Sequence, residues 1–395
     1  MTSRRLVLTR GAALVGAAST SLLLPQIARA QSNKIRVGLM LPYTGTFAQL
    51  GVAIENGVRM AIDEKGGKLG GREIEWFKVD DESEPAKGVE NAQRLVQRDK
   101  VDVLVGTVHS GVQMGIQRVA RESGVLNIIP NAGVNAATRA LCAPNVFRTS
   151  FSNSQSTLAL GKAMVDKGHK KAVWISWKYA AGDEALEGFK DNYLKAGGTI
   201  VKELSLPFPN VEFQALLTEI ASLRPDAVAC FFAGGGAAKF VRDFAAAGLK
   251  DRIALWGSGF LTEGVLDAAG AAAEGVMTTL HYSDSLDTPR NKQFRLQYAK
   301  TFKMQPDVYA VQGYDSGLLL AQGLAAVKGD MGNKPALYAA LESQSIDSPR
   351  GKWTMSKSHN PVQDIYLRRV EKGENKVIGI AAKALADSGA GCKMG

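Results

Sequence analysis

The chain has 395 residues, is 45% hydrophobic and carries a formal net charge of +10. Its basic residues are scattered among acids, with no basic stripe interleaved by aromatics, which argues against a nucleic-acid surface. The four histidines (109, 169, 281 and 359) stand too far apart for metal-ligand spacing, and no apolar run reaches membrane-spanning length.

Residues 1–30 read as an export signal. Arg4 and Arg5 precede an apolar stretch, residues 11–24, and Ala28-Arg29-Ala30 is a small-x-small cleavage site. The paired arginines resemble a twin-arginine signal, although Val7 stands where that pattern prefers Phe. No cysteine follows the site, so a lipid anchor is not expected. The mature chain is expected to start at Gln31 and to be soluble outside the cytoplasm. Removing the segment's four arginines leaves a net charge of +6, mild enough to reflect solubility alone.

The rest is long enough for two domains. Residues 35–41 read as a strand with Pro42-Tyr43-Thr44-Gly45-Thr46 as its exit loop. Ile54, Val58, Ala61 and Ile62 then mark a helix face stopped by Gly66-Gly67. Residues 74–79 are the next strand. The acidic run Asp80-Asp81-Glu82-Ser83-Glu84 after it reads as a solvated loop rather than a cation site. Val89, Ala92 and Val96 mark a second helix.

Val101-Asp102-Val103-Leu104-Val105 reads as a buried parallel strand running into Gly106-Thr107-Val108-His109-Ser110-Gly111. Val112, Ile116, Val119 and Ala120 then recur at helical spacing. Ser110 is placed to cap that helix. A strand tip feeding a helix N-terminus offers amide N–H groups and a positive dipole end to a carboxylate. The same serine would cap the helix with no ligand present. Residues 125–129 form another strand, closed by Pro130, and residues 145–149 read as an exposed connection.

The pattern then restarts. Residues 172–177, 199–206, 227–232, 253–256 and 276–281 read as strands. Between them lie a helix ending at Lys195 before Gly197-Gly198, a helix with Phe213, Leu216, Leu217 and Ile220 on one face, and a helix carrying Phe240, Val241 and Phe244. Gly234-Gly235-Gly236 reads as a loop. Strands alternating with helices imply parallel sheets, and two such series imply two Rossmann-like α/β lobes with ligands beyond the C-terminal strand ends. Residues 291–302 and 312–327 read as helices and 366–370 as a strand. The tail from Ala381 is small and polar, and is expected to be ordered only if Cys392 ties it down. Cys230, inside an apolar strand, reads as an inert core thiol. Cys142 and Cys392 lie in loop-like sequence and are the pair available for a disulfide in an oxidising compartment, although sequence does not fix connectivity.

Residues 35–51, the Gly66-Gly67…Gly70-Gly71 turn, Val79-Asp80-Asp81, Asp102-Val103-Leu104-Val105-Gly106 and Phe147-Arg148-Thr149 follow one another in a familiar order. In this the chain resembles the periplasmic solute-binding proteins of ABC importers in the leucine/isoleucine/valine-binding class, over nearly all of its mature length. The resemblance implies a type I periplasmic binding fold of two lobes joined by three crossovers near residues 149–152, 281–284 and 348–352. Lobe 1 would comprise 31–150 and 282–348, lobe 2 would comprise 151–281 and 349–382, and 383–395 would be a tail. It also implies a monomer with no cofactor, partnered by a membrane permease.

Carried over position by position, the resemblance puts His109 and Ser110 in the carboxylate-binding loop, with Asn131, Ala132 and Gly133 on the neighbouring strand tip. Phe47, Gln49 and Leu50 come near the cleft, and Tyr309 falls on an aromatic cleft position. Lobe 2 departs from the amino-acid binders. Ala181 and Gly235 stand where they carry aromatics, and no acid lies near residues 259–260 to receive a ligand ammonium. An unmatched buried ammonium would be costly. Small residues at Ala181, Gly235 and Gly259 leave room for a flat group on which Tyr179, Phe260 and Tyr309 could pack. The expected ligand is therefore a small aromatic carboxylate, with a branched-chain or other amino acid or amide as the alternative.

An enzyme is not expected: Trp256-Gly257-Ser258-Gly259-Phe260 is no nucleophile elbow, and Gly234-Gly235-Gly236 lacks both phosphate-loop and dinucleotide spacing. A sensor presenting its ligand to a separate receptor is the other alternative.

Overall fold

The computed structural model describes residues 34–394, so the export segment and its cleavage after Ala30 lie outside the described residues. The first lobe opens with β1 (Lys34–Leu41), buried on both faces by Ile35, Val37, Leu39 and Leu41 on one side and Met40 on the other. There follow α1 (Ala48–Asp63), β2 (Glu73–Asp80), α2 (Pro85–Gln93), β3 (Val103–Val105), α3 (Ser110–Ser123), β4 (Leu126–Ile129) and β5 (Val146–Arg148). All five strands are parallel in the order β2-β1-β3-β4-β5. The order reverses between β1 and β3, which opens a crevice at their C-terminal ends.

The second lobe repeats the device. It runs α4 (Asn153–Asp166), β6 (Lys171–Lys178), α5 (Ala180–Lys195), β7 (Thr199–Pro207), α6 (Gln214–Leu223), β8 (Ala227–Phe231), α7 (Gly234–Ala246), β9 (Ala254–Ser258), the single-turn α8 (Leu266–Ala269) and β10 (Met277–Leu280). The parallel order β7-β6-β8-β9-β10 reverses between β6 and β8. The chain then returns to the first lobe. It forms α9 (Pro289–Phe302), α10 (Val308–Ala326) and α11 (Lys334–Glu342), and α10 packs along α1. Glycine permits the close approach: a Cβ at Gly57 would lie 2.1 Å from the Ala310 carbonyl oxygen. Last come β11 (Ser345–Ser348), β12 (Gly351–Met355), β13 (Pro361–Glu371) and β14 (Glu374–Leu385). They extend the second sheet, with β13 antiparallel to β10.

Arg350, between β11 and β12, ties the connections between the lobes together. Its guanidinium donates to the carbonyls of Thr149 at 2.6 Å and Ser150 at 3.3 Å and pairs with Asp315 of α10 at 3.0 Å. All of this is buried. Gln363 of β13 donates to the same Ser150 carbonyl at 2.7 Å.

Three local expectations are corrected, and the condition set on the C-terminal tail is met. Residues 145–149 are not an exposed connection: Val146–Arg148 is the edge strand β5, buried, because His359 covers it with a backbone bond to Arg148 N and a ring stacked on Phe147 at 3.9 Å. Gly234-Gly235-Gly236 is not a loop but the first turn of α7, where packing against the sheet outweighs the poor helix propensity of glycine. The acidic run after β2 is not wholly solvated, since Asp81 is fully buried and bonded by Thr107 Oγ1 and Ser83 N. The C-terminal stretch from Ala381 is strand to Leu385, paired with β13. Beyond it Cys392 is joined to Cys142, with Cα atoms 5.5 Å apart. Cys230 is buried and free, and burial pushes its thiol pKa well up.

Candidate functional site

The two order reversals face each other, and the loops leaving β1, β3, β6 and β8 enclose a cavity between the lobes. About 320 Å³ there, counting space open to solvent, is not filled by protein atoms. Of the residues expected from sequence, Phe47, Leu50, Ser110, Asn131, Gly133, Tyr179, Ala181, Phe260 and Tyr309 line it. Tyr179 alone of its lining is partly exposed; the rest is buried.

Five residues expected at the site lie elsewhere. Gln49 is exposed on α1 and faces a wider groove outside the cavity. Ala132 is buried behind the strand tip, its N–H bonded to the Thr107 carbonyl. Gly235 is exposed on α7 with open space where a Cβ would be. Its neighbour Gly234 borders the first lobe instead, at φ +57°, and a side chain there would meet Thr46 O at 3.1 Å. Gly259 does not enlarge the cavity, because its absent Cβ would point at Leu280 and Arg368. His109 stands behind the lining, its ring stacked on Tyr179 at 4.9 Å.

His109 also takes over the role expected of Ser110. It is the N-cap of α3, with Nδ1 accepting from Gly111 N at 3.1 Å, and Ser110 falls inside the first turn. That frees the Ser110 hydroxyl for the cavity. Burial lowers the His109 pKa to about 4, so the ring is neutral, and its accepting Nδ1 places the proton on Nε2.

Sequence reasoning missed Val108, Phe151, Asn153, Phe231 and Ala233. Asn153, the first residue of α4, is the most informative. Its Nδ2 donates to Ser110 Oγ at 3.2 Å and to Glu184 Oε2 at 2.8 Å. Ser152 before it makes a reciprocal capping box with Gln155, which fixes the start of the helix. Because Ser110 Oγ accepts from Asn153, its own proton can be given to a ligand. Glu184 sits behind this pair and also accepts from Asn135 N at 2.9 Å. Burial raises its pKa despite these donors. The strand tip is held from below by Arg148, fully buried, whose Nη1 donates to the carbonyls of Ala132 at 3.2 Å and Val134 at 2.9 Å. Burial lowers its pKa to about 10, so it remains charged.

Opposite this polar end the cavity is aromatic. Phe260 meets Phe151 at 4.6 Å, Tyr309 at 6.0 Å and Phe231 at 6.3 Å between centroids. A second aromatic group closes the cleft: Phe208 of the second lobe packs on Phe47 at 5.4 Å, His109 at 4.9 Å and Tyr179 at 5.0 Å. No lining side chain carries a formal charge. An anion here would be met by neutral donors and the α3 dipole, whereas a cation would meet no carboxylate. Among the described residues no group of His, Cys, Asp and Glu is arranged to hold a metal, and no helix is long and apolar enough to cross a membrane.

The periplasmic binding protein family model matches residues 34–375. A Leu/Ile/Val-binding protein homolog 6 of Brucella abortus is 28% identical over 353 residues, covering 88% of this chain and 90% of that one. Two solved structures are similar throughout. One is an ABC-transporter solute-binding protein of R. palustris in complex with benzoate: 52% identity, TM-score 0.89, 91% of this chain and 99% of that one. The other is a solute-binding protein of Rhodopseudomonas palustris BisB5 in complex with 3,4-dihydroxybenzoic acid: 32% identity, TM-score 0.85, 90% and 99%.

Proposed function

This chain belongs to the periplasmic binding protein family, and from that premise we propose that it is the solute-binding component of an ABC importer for a small aromatic carboxylate. The observation that carries the reading is the cavity's composition: aromatic walls, one neutral polar end at Ser110 and Asn153, and no charged lining residue. An α-amino acid would bury its ammonium without a carboxylate, since Glu184 is held away by Asn135 and Asn153. A ring carboxylate leaves no such unpaired charge. The benzoate and dihydroxybenzoate complexes of the similar proteins support the same ligand class.

In this reading residues 1–30 direct export and are removed after Ala30, by a twin-arginine or a general secretory route. The mature monomer works in the periplasm, with residues 31–150 and 282–348 as one lobe and 151–281 and 349–382 as the other. It does no chemistry on its ligand. It closes on the acid, and the closed form is recognised by a membrane permease.

The test is a thermal-shift screen of the mature protein against aromatic acids, amino acids and amides, followed by titration calorimetry of the hits. Binding to the native state alone raises the melting temperature. Aromatic acids should stabilise it and branched-chain amino acids should not. The reverse pattern would overturn the ligand assignment while leaving the transport role standing.

A further inference from the structure

The side chain of Tyr309 is 1% exposed and lines the cavity, yet its hydroxyl has no hydrogen-bond partner among the described residues. The amide side chains of the lining are engaged: Asn153 Nδ2 donates to Ser110 Oγ, and Asn131 Nδ2 donates to Gln312 Oε1 at 2.6 Å. Buried polar groups are otherwise paired, so a lone hydroxyl facing a cavity marks a place where the occupant supplies the partner.

Its position says which part of the occupant it meets. Tyr309 lies in the first turn of α10, and its ring is stacked on Phe260 at 6.0 Å and 26°. It therefore belongs to the aromatic wall, whereas the donors suited to a carboxylate sit on α3 and the tip of β4. A flat acid anchored at Ser110 and packed against Phe260 presents its ring positions, not its carboxylate, to this wall. Burial first, and the nearby acids Asp307 and Glu263 with Tyr179 next, push the Tyr309 phenol pKa well up. The group is therefore a neutral hydroxyl at any physiological pH, able both to donate and to accept.

We infer that Tyr309 is a specificity-determining residue whose hydroxyl reads an oxygen on the ligand ring, so that the cavity prefers a ring-hydroxylated aromatic acid to the unsubstituted one. The inference rests on the aromatic-acid reading and narrows it. The chemistry is a single hydrogen bond in a dry site, where an unmatched polar group is penalised rather than merely unrewarded.

The experiment is titration calorimetry of the mature protein and of Tyr309→Phe with benzoate, 3-hydroxybenzoate and 4-hydroxybenzoate. Wild type should bind one of the hydroxy acids about tenfold or more tightly than benzoate. Tyr309→Phe should lose that preference, weakening the hydroxy acid about tenfold while leaving benzoate within about twofold. Equal weakening of all three would mean that the hydroxyl meets the carboxylate, and no weakening would mean that it meets nothing on the ligand. Either result overturns the inference and leaves the aromatic-acid reading intact. Failure of wild type to bind any of the three overturns that reading, and this inference with it. The melting temperature of unliganded Tyr309→Phe, expected to match or exceed that of wild type, separates a binding loss from a folding defect.

Discussion

Asn153 Nδ2 donates to Ser110 Oγ across 3.2 Å, and in doing so joins the first turn of α4 to the first turn of α3. The two helices are built on different sheets, so the bond spans the lobes, beside the backbone bond from Asn153 N to the Gly133 carbonyl at 2.6 Å. It sets the direction of the serine's hydrogen bonding toward the cavity. Ser110→Ala should weaken binding of the acid by about 1.5–3 kcal/mol, the range for a hydrogen bond to a charged group. Asn153→Ala should weaken it comparably. Calorimetric affinities of both variants within twofold of wild type would remove the polar end from the account.

A second contact between the lobes lies beside the cavity. Glu263 Oε2 accepts from Val308 N at 3.0 Å, at the N-terminus of α10, while its other oxygen pairs with the buried Arg368. Glu263→Ala leaves Arg368 buried with only the carbonyls of Tyr282 and Gly259 and the Thr278 and Thr262 hydroxyls near its guanidinium. Loss of one partner of a buried pair costs about 3–5 kcal/mol. Equilibrium denaturant unfolding should show a fall of that order, and a change under 1 kcal/mol would mean that the pair is dispensable.

His109 gives the closed form a pH dependence. Its pKa is lowered to about 4 by burial among Tyr179, Phe208 and Phe47, against an ordinary value of 6.5. A chain opened to water binds a proton here that the closed form refuses. The contribution to closure is therefore complete above pH 6.5 and is lost as the pH falls toward 4. Ligand affinity should decline over that window. In His109→Asn, which keeps a capping side chain, the decline between pH 6.5 and 5 should flatten. A wild-type affinity constant from pH 7 to pH 5 would contradict this.

The Cys142–Cys392 bridge closes a separation of 250 residues. It acts together with Asp387, which takes two bonds from Arg139 at 3.0 and 2.9 Å and one from Ser152 Oγ at 2.5 Å. Replacing both cysteines by serine should destabilise the protein by about 2–4 kcal/mol. Mass mapping of a non-reduced digest of exported protein should recover the two peptides joined. Recovery of both thiols free would sink the prediction.

The alternation of strands and helices was readable in the chain because central strands such as β3 and β8 are buried on both faces and read as unbroken apolar runs, as in residues 227–231. Ser110 and Tyr179 were readable as strand-end residues. The short strand β5 was not, since three residues ending in arginine carry no periodicity, and Arg148 is buried because the Ala132 and Val134 carbonyls and the Asn360 and Thr138 side chains converge on it. Gly234 was hidden by its neighbours: three glycines in a row look like a loop, and only the approach of Thr46 from the other lobe singles out the first. For Asn153 the Ser152-x-x-Gln155 capping pattern marks the helix start but says nothing of a site. The importance of Asn153 comes from a partner 43 residues away that the crossover brings within reach.

The burial of the cavity has a kinetic consequence. Phe47, Ser110, Asn153, Phe260 and Tyr309 are each at most 2% exposed, so an acid held among them is screened from solvent on those sides while the lobes are together. The lifetime of a bound acid then depends on how often the lobes part, a motion opposed by the Phe208 aromatic group, the Glu263 contact and the Arg350 tie. Ligands of different affinity would share one ceiling on their escape rate and differ mainly in how often an opening ends with the acid still in place.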